Sequence, residues 1–189
     1  MMKKLREKTE SFVKRYFDVV GQSDIDTLRK AIERVNEAVI ETMKDYVMTN
    51  NEFSEAYAVL VTEIQSKGLY DPKDNVICIH PAFSLYYFDL VDEDKDELIN
   101  KLTTILHEHR HARQYTEEYK YMRKYEKYWK RCVLNKQLDE YWDNPLEVDA
   151  RKYADIYAEE AFNYLLNNLE NKLEEEMIMV EALYGAFNI

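Results

Sequence analysis

Residues 106–114 read LHEHRHARQ, and this stretch holds three of the chain's four histidines within five positions. Apolar residues precede it at helical spacing, as at Leu98 and Leu102, and acidic residues lie before those, where they suit the positive end of a helix dipole. We therefore predict that the stretch lies on an amphipathic helix. On a helix, residues four apart project side by side, so His107 and His111 would share one face.

Two imidazoles on one helical face can offer two nitrogens to one metal ion, and zinc accepts such donors readily. Glu108 lies about 100° from His107 around the helix, within reach of a metal-bound water without having to ligate the metal. In this H-E-x-x-H arrangement the metal acidifies water and the glutamate accepts the proton. The pattern predicts Zn²⁺ on His107 and His111 with Glu108 as catalytic base, while His109 points elsewhere. The competing interpretation is a solvated helical face rich in histidine.

A third ligand is expected, because catalytic zinc normally takes three protein ligands and keeps one position for water. We predict Glu147, which follows Asn144-Pro145 at the start of the next helix. Small residues that recur at helical spacing border it and would let another helix approach closely. They are Ala150, Ala154, Ala158 and Ala161.

Other roles and other ligands remain open at this position. Glu147 could instead complete a capping box with Asn144 as the N-cap. Asp149 is the alternative third ligand, and it could also accept a hydrogen bond from the second nitrogen of a ligand histidine. His80 is a further possibility.

The composition predicts a mostly helical chain that folds as one domain or as one domain with helical additions. It has 189 residues, only three glycines and three prolines, and a formal net charge of −11. Such a charge argues against a general nucleic-acid-binding surface. No apolar run is long enough for a membrane span, and the N-terminus lacks an apolar signal stretch, so we expect a cytoplasmic protein. Cys78 and Cys132 have no CxxC partner and indicate neither a disulfide framework nor a thiolate zinc site.

Apolar periodicity and turn residues predict the remaining elements. Residues 53–67 fit a helix, although 58–61 could equally be a buried strand, and 75–79 is the clearest strand, with a second at 83–90. The further predicted helices span 1–20 and 24–48 (an antiparallel hairpin), 119–142, 144–167 and 169–183. We expect an N-terminal helical scaffold over 1–50, a core over 51–168 and a C-terminal amphipathic helix over 169–189.

A resemblance to a known family emerges from two segments, 106–114 and the PLEVDARKYA of 145–154. Together they resemble the small zincin-type, gluzincin-like metallopeptidases of phages and mobile elements. They are similar to the ImmA/IrrE-like family, whose pattern is HExxH followed by a helix with a glutamate shortly before an alanine and an aromatic-alanine pair. The resemblance covers about residues 75–162. Without an evident helix-turn-helix, and with a long segment between the motifs, repressor cleavage is not expected.

The resemblance implies a zincin-like α+β fold, mostly α, with a small β-sheet packed on the helix that carries the motif. It implies His107, His111 and Glu147 as zinc ligands and Glu108 as the catalytic residue of a hydrolase that cleaves a protein or peptide substrate. The alternative is a non-catalytic helical interaction protein that keeps the zincin shape and binds a protein partner. The basic, tyrosine-rich residues 119–136 are interpreted as a helix with one solvated basic face and one aromatic packing face. The alternative is a surface that binds an acidic substrate segment or nucleic acid.

Overall fold

The computed structural model describes residues 2–50, 52–53, 57–60, 66–80, 85–92, 94–117 and 142–185. The described part is mostly helical and contains one small sheet, which confirms the predicted α+β, mostly α class. Its elements in chain order are α1 (Met2–Val20), α2 (Ile25–Thr49), β1 (Tyr57–Leu60), β2 (Gly68–Asp71), β3 (Val76–Ile79), α3 (Tyr87–Asp92), α4 (Lys95–Glu117) and α5 (Pro145–Gly185). None of the helices in these ranges has the length and apolar character needed to cross a bilayer.

The described residues form two compact units. The first lies within Met1–Tyr46, Leu85–Leu98 and Ala161–Ile189, and the second within Val47–Ser84 and Ile99–Glu160. The motif histidines and Glu147 all belong to the second unit. The predicted division into a scaffold (1–50), a core (51–168) and a C-terminal helix (169–189) stays a prediction.

The first unit is a helical assembly in which α1 and the later part of α5 are joined by ion pairs. Lys8 Nζ lies 2.7 Å from Glu170, and Arg15 lies 2.7 Å from both Glu174 and Glu181. Exposed pairs of this kind contribute little each, so the stability of the unit depends mainly on its buried apolar side chains. These include Leu5, Phe12, Tyr16, Val35, Leu165, Leu169 and Met177.

The turn between α1 and α2 is built from a glycine and a capping aspartate. The backbone N–H of Gly21 donates to Phe17 O at 2.9 Å, and Gly21 has a φ of +72°, the left-handed geometry that ends many helices. Asp24 Oδ1 accepts from the backbone N–H of Thr27 at 2.8 Å, and this bond holds the pKa of Asp24 below its usual value. The helices predicted over 1–20 and 24–48 are confirmed.

The second unit contains a three-stranded sheet in the order β1-β3-β2. β3 pairs in parallel with β1 and antiparallel with β2. Ile77 and Ile79 of β3 are buried together with Ala112 of α4, and Tyr70 and Ile105 pack against them. The sheet therefore packs on the helix that carries the motif. The strand predicted at 75–79 is confirmed.

Two predicted elements and one predicted helix break are wrong. Within the predicted helix 53–67, residues 57–60 form β1, so the strand alternative holds there. The strand over 83–90 is replaced by α3, where Asp89 Oδ2 accepts from the backbone N–H of Tyr86 at 2.6 Å and so satisfies a donor at the helix start.

The two predicted C-terminal helices are a single helix, α5. No glycine or proline interrupts residues 146–184, and Leu165, Leu169 and Leu173 continue one buried stripe across the predicted break. The helix predicted over 119–142 lies, apart from its last residue, outside the described residues, as does the basic stretch 119–136.

Gly21→Ala should lower the free energy of unfolding by about 1–2 kcal/mol, because a side chain disfavours the left-handed conformation. A Cβ at this position would meet no atom within 4 Å, so the cost is one of backbone conformation alone. Urea unfolding followed by circular dichroism measures the change. Gly21→Asn is the matched control, since asparagine tolerates this conformation and should lose less. Equal losses for both variants would contradict this explanation.

Candidate metal centre

The start of α5 is fixed by a buried cap. Asn144 Oδ1 accepts from the backbone N–H of Leu146 at 3.0 Å, and Asn144 O accepts from that of Val148 at 2.9 Å. Asn144 is fully buried, and Pro145 occupies the first helical position. This arrangement places Glu147 in the first turn, with its side chain buried at 2% exposure.

Glu147 contacts both motif histidines of α4. Its Oε2 lies 3.3 Å from His107 Nε2, its Oε1 lies 3.3 Å from His111 Nε2, and the two imidazole nitrogens lie 3.0 Å apart. Each residue thus turns one donor atom towards a common point. The structure brings together the three residues predicted as ligands, and the Glu147 carboxylate faces the histidines.

The three donor atoms fit a zinc ion. Zinc bonds of about 2 Å to tetrahedrally arranged nitrogen and oxygen donors place those donors roughly 3.3 Å from one another. The two nitrogens lie 3.0 Å apart, and each lies 3.3 Å from a different oxygen of the Glu147 carboxylate, so the three side chains surround a space of the size that a zinc ion needs. Glu147 Oε2 is also buried and makes no well-formed hydrogen bond within the described part of the chain. A cation bound among the three would satisfy it.

Glu147 and His111 stabilise each other's charged forms. Burial alone would raise the pKa of Glu147, but the two histidines outweigh it and hold that pKa well below its usual range. Burial would likewise lower the pKa of His111, and its hydrogen bond and Coulomb attraction to Glu147 reverse the direction and raise it. The carboxylate is therefore kept ionised, as a metal ligand must be.

Glu108 is separate from the ligand group and lies against strand β2. It is 6% exposed, and this burial raises the pKa of its carboxyl, partly offset by His111 and His107. The backbone N–H of Tyr70 is the smallest of the influences that lower this pKa. At Gly68 a Cβ would lie only 2.7 Å from Glu108 Cγ, so a glycine is needed for this close approach.

Asp149 and the other candidate residues lie apart from the three donors. Asp149 Oδ2 accepts from Arg110 Nε at 2.7 Å and from Gln114 Nε2 at 2.8 Å. Its carboxylate is therefore hydrogen-bonded to these two residues and not directed at the histidines. His109 is buried and His80 half-buried, and neither belongs to the donor group.

Sequence reasoning missed Gly68 and Gln114. Gln114 contacts His111 and lies seven residues after His107, which puts it on the same helical stripe, so its position was readable from periodicity. Gly68 has no functional group, so nothing in the sequence indicated its contact with Glu108. Only the packing of β2 against α4 shows what it does.

Comparison with known proteins gives no match: no family model, curated protein or solved structure is significantly similar to this chain. The likeness to ImmA/IrrE-like peptidases therefore stays a hypothesis based on the motif residues.

Glu108→Gln should stabilise the metal-free protein at pH 8 by about 0.5–2 kcal/mol. The folded-state pKa of Glu108 lies above its unfolded value, so the folded state binds the proton more readily and loses stability as pH rises through that pKa. A neutral amide avoids this loss, and the difference from wild type should shrink at pH 4. Urea unfolding at both pH values provides the measurement.

Glu33→Gln, at an exposed position on α2, is the control and should change stability little at either pH. If Glu108→Gln were no more stable than wild type at pH 8, burial would not be the dominant influence on this carboxyl.

Proposed function

We propose that this chain is a zinc-dependent metallopeptidase with a zincin-like active site, which hydrolyses bonds in a protein or peptide substrate. The observation that carries the proposal is the convergence of His107, His111 and Glu147 at separations that suit tetrahedral zinc. With three protein ligands, one coordination position would remain for water, as in catalytic zinc sites.

A zinc ion held by these residues would lower the pKa of bound water and polarise the substrate carbonyl. Glu108 is suited to accept the proton of that water, since it lies one residue from a ligand and is not itself part of the donor group. Burial raises its pKa towards neutrality, which strengthens it as a base and lets it return the proton to the leaving amine.

The sheet holds this base in place. Gly68 lets the side chain of Glu108 lie directly on β2, where a Cβ would come within 2.7 Å of Glu108 Cγ. A catalytic group held by a rigid neighbour needs little reorganisation during the reaction. We therefore assign Glu108 as the general base and β2 as its support.

Purified wild type should bind about one zinc ion per chain, and Glu147→Gln should lose most of this metal because one ligand is gone. Glu108→Gln should keep the metal and lose about 10²–10⁴-fold in hydrolysis, the usual contribution of a general base. Metal content is measured by atomic emission, and hydrolysis with casein and a library of fluorescence-quenched peptides.

His80→Ala is the matched control, since it removes a histidine outside the donor group and should keep both zinc and activity. A wild type without stoichiometric zinc would refute the metal centre. Zinc binding with no hydrolysis of any peptide would refute the peptidase and favour a non-catalytic interaction protein.

Gly68→Ala should lower hydrolysis and leave zinc content unchanged, because the new methyl group would displace Glu108 and not a ligand. A loss of about 10-fold or more is expected, since small displacements of a catalytic group are costly. The same two assays measure it. Leu69→Ala, which changes a half-exposed side chain on the same strand, is the control. Full activity in Gly68→Ala would contradict the role assigned to β2.

A further inference from the structure

Gln114 lies on the same stripe of α4 as the two motif histidines and is almost fully buried, at 1% exposure. Its Oε1 lies 2.9 Å from His111 Nδ1, the ring nitrogen that faces away from Glu147. The side chain therefore contacts a proposed ligand on the side opposite the metal.

The orientation of the Gln114 amide is fixed by two acceptors. Its Nε2 donates to Leu146 O at 3.0 Å and to Asp149 Oδ2 at 2.8 Å. A carbonyl and a carboxylate oxygen can only accept, so the amide nitrogen must face them and the amide oxygen must face His111. A flipped amide would place its oxygen against both acceptors.

Asp149 is itself held in place by a buried arginine. Arg110 Nε donates to Asp149 Oδ2 at 2.7 Å, and its Nη1 donates to the backbone oxygen of Glu52 at 3.1 Å. The guanidinium also lies over the ring of Tyr153, 4.0 Å from the centroid. The arginine therefore holds in place the carboxylate oxygen that accepts from the Gln114 amide.

An amide oxygen accepts and cannot donate, so the neutral His111 ring must carry its hydrogen on Nδ1. Its lone pair then lies on Nε2, the nitrogen that faces His107 and Glu147. We propose that Gln114 is a positioning residue that fixes His111 in the tautomer needed to ligate a metal. This inference rests on the proposed metal centre and goes beyond it, because it explains how one ligand is prepared for binding.

The first test measures zinc affinity by competition with a chromophoric chelator. Gln114→Leu removes the acceptor and should weaken zinc binding by about 10–100-fold, the usual effect of losing such a partner. Urea unfolding of the metal-free Gln114→Leu protein separates this effect from a general loss of stability.

A second test reads the tautomer directly in metal-free protein labelled with ¹⁵N, where no metal selects it. At a pH where the His111 ring is neutral, wild type should show a protonated Nδ1 whose hydrogen exchanges with water about 10-fold more slowly than a ring hydrogen of His80. In Gln114→Leu this protection should disappear.

The outcomes distinguish this inference from the proposed function. Wild-type zinc affinity in Gln114→Leu, or a neutral His111 ring with its proton on Nε2 in the metal-free protein, would overturn the positioning role and leave the metal centre standing. A wild type that binds zinc without hydrolysing peptides would remove the peptidase and leave the positioning role supported. A wild type that binds no zinc would overturn both.

Discussion

The carboxylate of Glu147 is buried, and a buried charge is unfavourable unless charged or hydrogen-bonding partners compensate it. Its partners are two imidazoles on another helix, so the first turn of α5 and the middle of α4 must meet at one place. The buried Asn144 cap sets where α5 begins, and the Gln114 amide joins the two helices again through Leu146 O. Much of the second unit is thus organised around keeping one charge satisfied.

The same organisation separates two kinds of carboxyl within a small volume. Glu147 is kept ionised by its histidines, whereas Glu108 is pushed towards the protonated form by burial. Environments that shift two carboxyls in opposite directions are the usual basis for assigning one as a ligand or stabiliser and the other as a proton carrier. Both residues are glutamates, so the opposite pKa shifts of Glu108 and Glu147 arise from their different surroundings and not from residue type.

Much of the site could be predicted from the sequence, because helical periodicity places His107, Glu108 and His111 without tertiary information. Glu147 could be predicted as the third ligand from the Asn144-Pro145 helix start before it and from the alanines that border it on the same helix. What failed depended on contacts distant in sequence or on local competition: residues 57–60 pair with β3, and Asp89 converts a predicted strand into a helix start. Asp149 was predicted as a possible ligand or as a direct hydrogen-bond partner of a ligand histidine. In the structure Gln114 makes that contact with His111, and Asp149 accepts from Gln114.

The contact between Gly68 and Glu108 also bears on how relatives of this chain could be recognised. An HExxH pattern is short enough to occur by chance, and it contains nothing about the strand that supports its glutamate. A more selective signature would join a strand glycine before the motif, a glutamine three residues after its second histidine, and the sequence Asn-Pro-x-Glu-x-Asp beyond it. Apart from the proline, which begins the helix, each added position makes a specific contact at the site, so the signature describes the geometry of the site and not only its ligands.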